Sequence, residues 1–179
     1  MTDKAEFTLS ERPELVQAVG GLIMSVSQIE ALLFPVTALL LGQPLRVAAA
    51  ILEHIDNVSA RLAIVFDLAA LNPSKPIAAV VVGEKERILK ALAMRNRIAH
   101  SVFGYDEETE EVLLMSNYLT AKRGNPQKSP ITAEDILEHA RNLSNASGLI
   151  GVFLGEVDMT PHHRMKDSSK ASAAQKRRS

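Results

Sequence analysis

The sequence has no cysteine and no tryptophan, and its aromatic residues are two tyrosines and five phenylalanines in 179 positions. Without thiols there can be no disulfide framework, thiolate zinc site, iron–sulfur cluster or cysteine nucleophile. That absence fits a reducing compartment, and a cytoplasmic location is expected. So few flat rings cannot build the stacking platforms that hold single-stranded nucleic acid. No glycine-rich phosphate loop, paired-carboxylate motif or nucleophile elbow occurs, so neither a cofactor nor a bound metal is expected. Met1 to Glu6 mixes both charges and lacks an apolar stretch, so it does not read as a secretory leader. A strong net charge is also missing. The 20 Lys and Arg nearly balance 21 Asp and Glu, which argues against a uniformly basic nucleic-acid coat.

That balance hides a split. From Pro161 to the end there are six basic residues and one acid, a charge of +5, whereas residues 1–160 carry 14 basic and 20 acidic residues, a charge of −6. The tail is rich in Ser, Lys, Ala and Arg and reads as disordered. It would either fold back on the acidic body or help recruit RNA. The expected division is an N-terminal extension over 1–9, a helical body over 10–157 and a basic tail over 158–179.

With 46% hydrophobic residues, the body can bury a core. Ser10 offers a helix cap and Pro13 suits a first turn, opening a periodic segment to Leu41. Its densest apolar run, Ala31 to Leu41, is too short to span a bilayer, and Glu30 interrupts the longer window. A buried core helix is the better reading, so no membrane is expected. Gly42-Gln43-Pro44 ends this segment. Apolar residues at helical spacing from Ala48 to Ala69 then predict one helix over 45–71, and Asn72 to Pro76 a turn.

A third helix is predicted from about Ile77 to Val102, and a short β-hairpin over about 102–118. Five of the six residues 106–111 are acids, which places the hairpin turn in solvent. Residues 121–131 read as a loop. Thr132 and Asp135 resemble a capping box that opens a fourth helix to about Val157. Ser147, Gly151 and Gly155 form a small-residue ridge on it. The expected fold is all-α, an up-and-down four-helix bundle with the hairpin inserted between its third and fourth helices.

Two charges fall inside apolar stripes. Glu30 lies among Leu15, Val19, Ile23, Val26, Leu33, Thr37 and Leu41. Arg95 lies among Ile88, Leu92, Ala99 and Val102. A buried unpaired charge costs several kcal/mol, so each needs a partner. At about 1.5 Å per residue, Glu30 and Arg95 sit at one height in parallel helices. The same height is reached near Glu53 and Asp56 on the second helix, and near His139 to Asn142 on the fourth. A Glu30–Arg95 pair would then either fix helix register or hold Arg95 ready for a phosphate.

Arg95-Asn96-Arg97-Ile98-Ala99-His100 closes the third helix. Asn96 and His100 are four residues apart and share a helix edge beside Arg95. A histidine near an arginine, with no carboxylate cage, suits metal-independent phosphodiester chemistry. The imidazole can take a proton from a ribose 2′-hydroxyl, and the guanidinium can grip the phosphate as charge builds. A histidine at a helix C-terminus is also favoured by the helix dipole alone.

The string Arg-Asn-x-x-x-His, late in a helix of a four-helix unit, resembles the signature of the HEPN superfamily in the form its bacterial members carry. The resemblance covers about residues 10–157, and its specificity lies in positions 95–100. It implies an up-and-down bundle, commonly a homodimer with two motifs facing one cleft. Many members are similar to metal-independent ribonucleases of toxin–antitoxin or phage-defence systems, which adds an antitoxin or defence-system protein as a potential partner. Others keep the bundle and bind nucleotides or partners without cleaving RNA. On this resemblance Arg95 binds the scissile phosphate, His100 is the general base or acid, and Asn96 orients them.

Glu30 enters from the stripe argument as a supporting residue. Lys90 and Arg97, with Lys122 and Arg123 in the loop, are candidate RNA-binding positions, although such a run is usually a solvated face. The contrasting expectation is a non-catalytic helical interaction module in which Arg95 and Glu30 are structural.

Overall fold

The computed structural model describes residues 9–116 and 128–156. Among the described residues the chain is mostly helical, with five α-helices and a small three-stranded antiparallel sheet. A 3-10 turn at Leu9–Glu11 precedes α1, Pro13–Leu41. Pro13 occupies the first turn, where its missing N–H costs nothing. Ser10 falls in the 3-10 turn, and Arg12 takes the cap position in place of the expected serine.

At the other end Gly42 adopts φ 64°, a left-handed conformation that suits glycine. Its N–H reaches the Leu39 carbonyl, while the Gln43 N–H reaches Ala38 across the last turn. Lys75 Nζ donates to the same Leu39 carbonyl at 2.8 Å, placing a cation at the negative end of the helix.

The predicted helix over 45–71 is in fact two, α2 (Leu45–Leu52) and α3 (Val58–Leu71). Asn57 makes the break. Its backbone is extended, and its Oδ1 accepts from the N–H groups of Ser59, at 2.8 Å, and Ala60. An N-cap of this kind competes with continued helix. Arg61 fixes the turn from the other side by donating through Nε to the Ile55 carbonyl. The apolar spacing of Leu52, Ile55, Val58 and Leu62 runs across the break, so the pattern alone does not reveal it.

Pro76 starts α4, Pro76–Ala99, and His100 ends it, its backbone N–H bonded to the Asn96 carbonyl. The helix stops three residues before Val102, which lies in β1 (Ser101–Asp106) and is 56% exposed. Alternating apolar residues there pair antiparallel with β2 (Glu111–Ser116), Phe103 opposite Leu114. The acidic turn between them is solvent-facing, and Asp106 Oδ1 accepts from the N–H of Glu108 and Thr109. Part of the expected loop is a third strand, β3 (Lys128–Pro130), paired with β2. Leu114 and the following Ile131 are buried, which fastens the sheet to the helical core.

Helix α5, Ala133–Glu156, opens on the capping box read from the sequence. The Asp135 N–H donates to Thr132 Oγ1 at 3.1 Å, and the Thr132 N–H donates to Asp135 Oδ2 at 3.0 Å. Hydrogen bonds from the Thr132 hydroxyl and backbone hold the Asp135 carboxyl below its usual pKa. A depressed carboxylate stabilises the fold above its unfolded pKa, and that stability is lost as pH falls through the folded value. We therefore expect Thr132→Ala to cost about 1 kcal/mol near neutral pH. In thermal melts the gap to the parent chain should close as pH falls below about 4.

The core is centred on α1, which packs on α2, α3, α4 and α5, most extensively on α5. Its buried face runs through Leu15, Ala18, Leu22, Val26, Ile29, Leu33 and Val36. This face is rotated from the stripe expected above, so Ile23 is 50% exposed and Glu30 lies at the edge, half-buried. By length and composition alone α1 is apolar enough to cross a membrane, with mean hydropathy 1.7 over its best window. In this fold 44% of that window is buried in the protein. The ridge on α5 also differs from expectation. Ser147 is buried, but a side chain at Gly151 or Gly155 would meet nothing within 4 Å. These glycines are not points of close helix approach.

Candidate functional site

The C-terminal turns of α4 and the break between α2 and α3 enclose a cleft of about 350 Å³. The apolar part of its lining is Val26 from α1, Val58 from α3 and Leu92 from α4. The lining also carries Arg95, Asn96 and His100, so the structure brings the three sequence-predicted residues together around one open space. The helical period explains this grouping, since positions 92, 95 and 96 of α4 share one face and His100 follows on the same side as its C-cap. Arg95 and Asn96 are half-buried and His100 is exposed. Arg95 Nη1 donates to Asn96 Oδ1 at 3.1 Å. Asn96 thus restrains one edge of the guanidinium and leaves its other N–H groups for a ligand.

The break between α2 and α3 contributes Asp56, Asn57 and Ser59 to the same lining. The start of α3 lines the cleft through Asn57, Val58 and Ser59, and a helix N-terminus favours negative charge beside it. Counting residues along the helices placed Asp56 at the height of Arg95, and the structure puts both on the cleft. Glu53, Glu30 and the segment His139 to Asn142, counted to the same height, are not in its lining. The break itself could have been read from Asp56-Asn57-x-Ser59, a capping sequence inside an apolar pattern.

Glu30 and Arg95 do not pair. Among the described residues the ion pairs are Glu84–Arg87, Glu86–Lys90 and Glu134–Arg141. Because Arg95 is only half-buried, water solvates part of its charge, and the expected buried partner is not needed.

Of the candidate RNA-binding residues, Lys90 and Arg97 are not in the cleft lining. Lys90 is 2.7 Å from the Glu86 carboxylate, which raises the lysine pKa while Lys90 lowers that of the carboxyl. Arg97 donates to Ser129 Oγ, joining α4 to β3. Nearby, Arg87 is engaged by Glu84 and Lys85 stacks over the Phe66 ring at 5.1 Å. This helix face is therefore a set of locally paired charges. Lys122, Arg123 and the basic tail lie outside the described residues. Among the described residues no cluster of three or more His, Cys, Asp or Glu could hold a metal ion.

No protein-family model, curated protein or solved structure matches the chain.

Proposed function

We propose that the protein is a metal-independent endoribonuclease of the HEPN type, acting in the cytoplasm as a toxin or defence factor. The observation that carries this reading is the meeting of Arg95, Asn96 and His100 in the lining of one open cleft. The string at 95–100 and the mostly helical fold agree with it. In the up-and-down arrangement this implies, α2 and α3 together take the place of the second helix.

The chemistry follows from the groups present. The His100 imidazole accepts the proton of a ribose 2′-hydroxyl as its oxygen attacks the adjacent phosphorus. The bond from phosphorus to the 5′-oxygen breaks, giving a 2′,3′-cyclic phosphate and a 5′-hydroxyl. Arg95 binds the phosphoryl oxygens as negative charge accumulates, held in place by Asn96. The leaving oxygen takes its proton from water or, in a homodimer, from the partner subunit's His100.

Exposed apolar side chains favour such a dimer or an antitoxin contact. Ile23 and Met24 on α1, at 50% and 64% exposure, and Val152 on α5, at 65%, leave apolar surface uncovered in a single chain. The test of the ribonuclease reading is incubation of the full chain with RNA in excess EDTA. Cleavage is expected, and its loss on chelation would reject the reading.

A further inference from the structure

The two elements that line the cleft bring opposite chemistry to it, and this decides what fits there. Arg95 offers N–H donors and positive charge, whereas Asp56, contributed by the break between α2 and α3, is an acceptor with negative charge. A ligand that is only an anion would be opposed by Asp56. One that is only apolar would cover Arg95 and give it no partner. The arrangement suits a ligand with an anion at one end, a flat apolar body and N–H donors at the other end.

We propose that Asp56 and Asn57 form a guanine-selecting subsite, so that the cleft takes a guanosine whose 3′-phosphate is held by Arg95. This inference rests on the ribonuclease reading for the source of the ligand, RNA. Among the four RNA bases only guanine presents two neighbouring N–H donors, at N1 and the 2-amino group, matched to both oxygens of a carboxylate. Adenine and cytosine place a ring-nitrogen acceptor beside their amino group, which would repel the second oxygen. Uracil has one N–H between two carbonyls.

Asn57 adds a complementary group. Its Oδ1 is committed to the Ser59 and Ala60 N–H groups, so its Nδ2 donors are left for the guanine 6-oxygen. Arg61, by holding the Ile55 carbonyl, keeps the turn that presents both residues in place. A cleft of about 350 Å³ lies at the small end of ligand pockets, which suits one nucleotide.

The experiment is calorimetric titration of the full chain, in EDTA, with the 3′-monophosphates of guanosine, adenosine, cytidine and uridine. Guanosine 3′-monophosphate is expected to bind about tenfold tighter than the other three, an ordinary value for a bidentate pair. Asp56→Asn turns one acceptor into a donor and should reduce guanosine to the affinity of the others. Asp56 is exposed, so a thermal melt should show the variant folded like the parent. Equal affinities, no binding, or a guanosine preference that survives Asp56→Asn would each overturn the proposal. Equal binding together with cleavage in EDTA rejects the guanine subsite alone. Guanosine-selective binding without any cleavage rejects the ribonuclease reading and leaves the subsite standing.

Discussion

Replacing His100 with alanine is expected to lower RNA cleavage by about 10²–10⁴-fold, the range over which a positioned general base acts. The same substitution should leave the thermal midpoint nearly unchanged. His100 is exposed at the end of α4, and its backbone N–H bond to Asn96 survives the loss of the ring. Activity and stability therefore separate at this residue. Single-turnover cleavage beside a thermal melt of the same preparation reads both. Undiminished cleavage by folded His100→Ala protein would remove the imidazole from the mechanism.

Arg95→Ala is expected to lower cleavage by about 10²–10³-fold, because it withdraws a fixed charge from the phosphate in the transition state. Its stability cost distinguishes a site residue from a structural one. A buried Glu30–Arg95 pair broken from one side would lose about 3–5 kcal/mol. Arg95 is instead half-buried, pairs with no carboxylate among the described residues and bonds to the neighbouring Asn96 side chain. The expected cost is about 1 kcal/mol, a fall in midpoint of roughly 2–4 °C for a chain of this size. A fall several times larger, with no activity to lose in the parent, would support the helical interaction module.

Signals confined to a few neighbouring residues were legible in the sequence. Gly42-Gln43-Pro44 ends a helix because the left-handed turn and its hydrogen bonds lie within six residues. Thr132 and Asp135 cap α5 for the same reason. The grouping of Arg95, Asn96 and His100 follows from the period of one helix. What failed was legible only through competition between local and distant interactions. An apolar stripe crosses Asn57 unbroken, and the cap that interrupts it replaces helical hydrogen bonds without changing hydrophobicity. β3 forms because β2 offers it an edge, which nothing in Lys128-Ser129-Pro130 announces.

The Glu30–Arg95 expectation failed through rotation. A shift of the buried face of α1 by part of a turn carries Glu30 from the middle of an apolar stripe to its edge. Arg95 then finds its place on a solvent-open cleft. The other part of that lining was hidden with the helix break, and Asp56 and Asn57 with it.

The most direct measurement is the chemistry of the RNA ends produced in EDTA. Expected are 2′,3′-cyclic phosphate and 5′-hydroxyl ends, and no cut where a single 2′-hydroxyl has been replaced by hydrogen. Ends bearing a 5′-phosphate and a 3′-hydroxyl, or cleavage at the 2′-deoxy position, would contradict this mechanism.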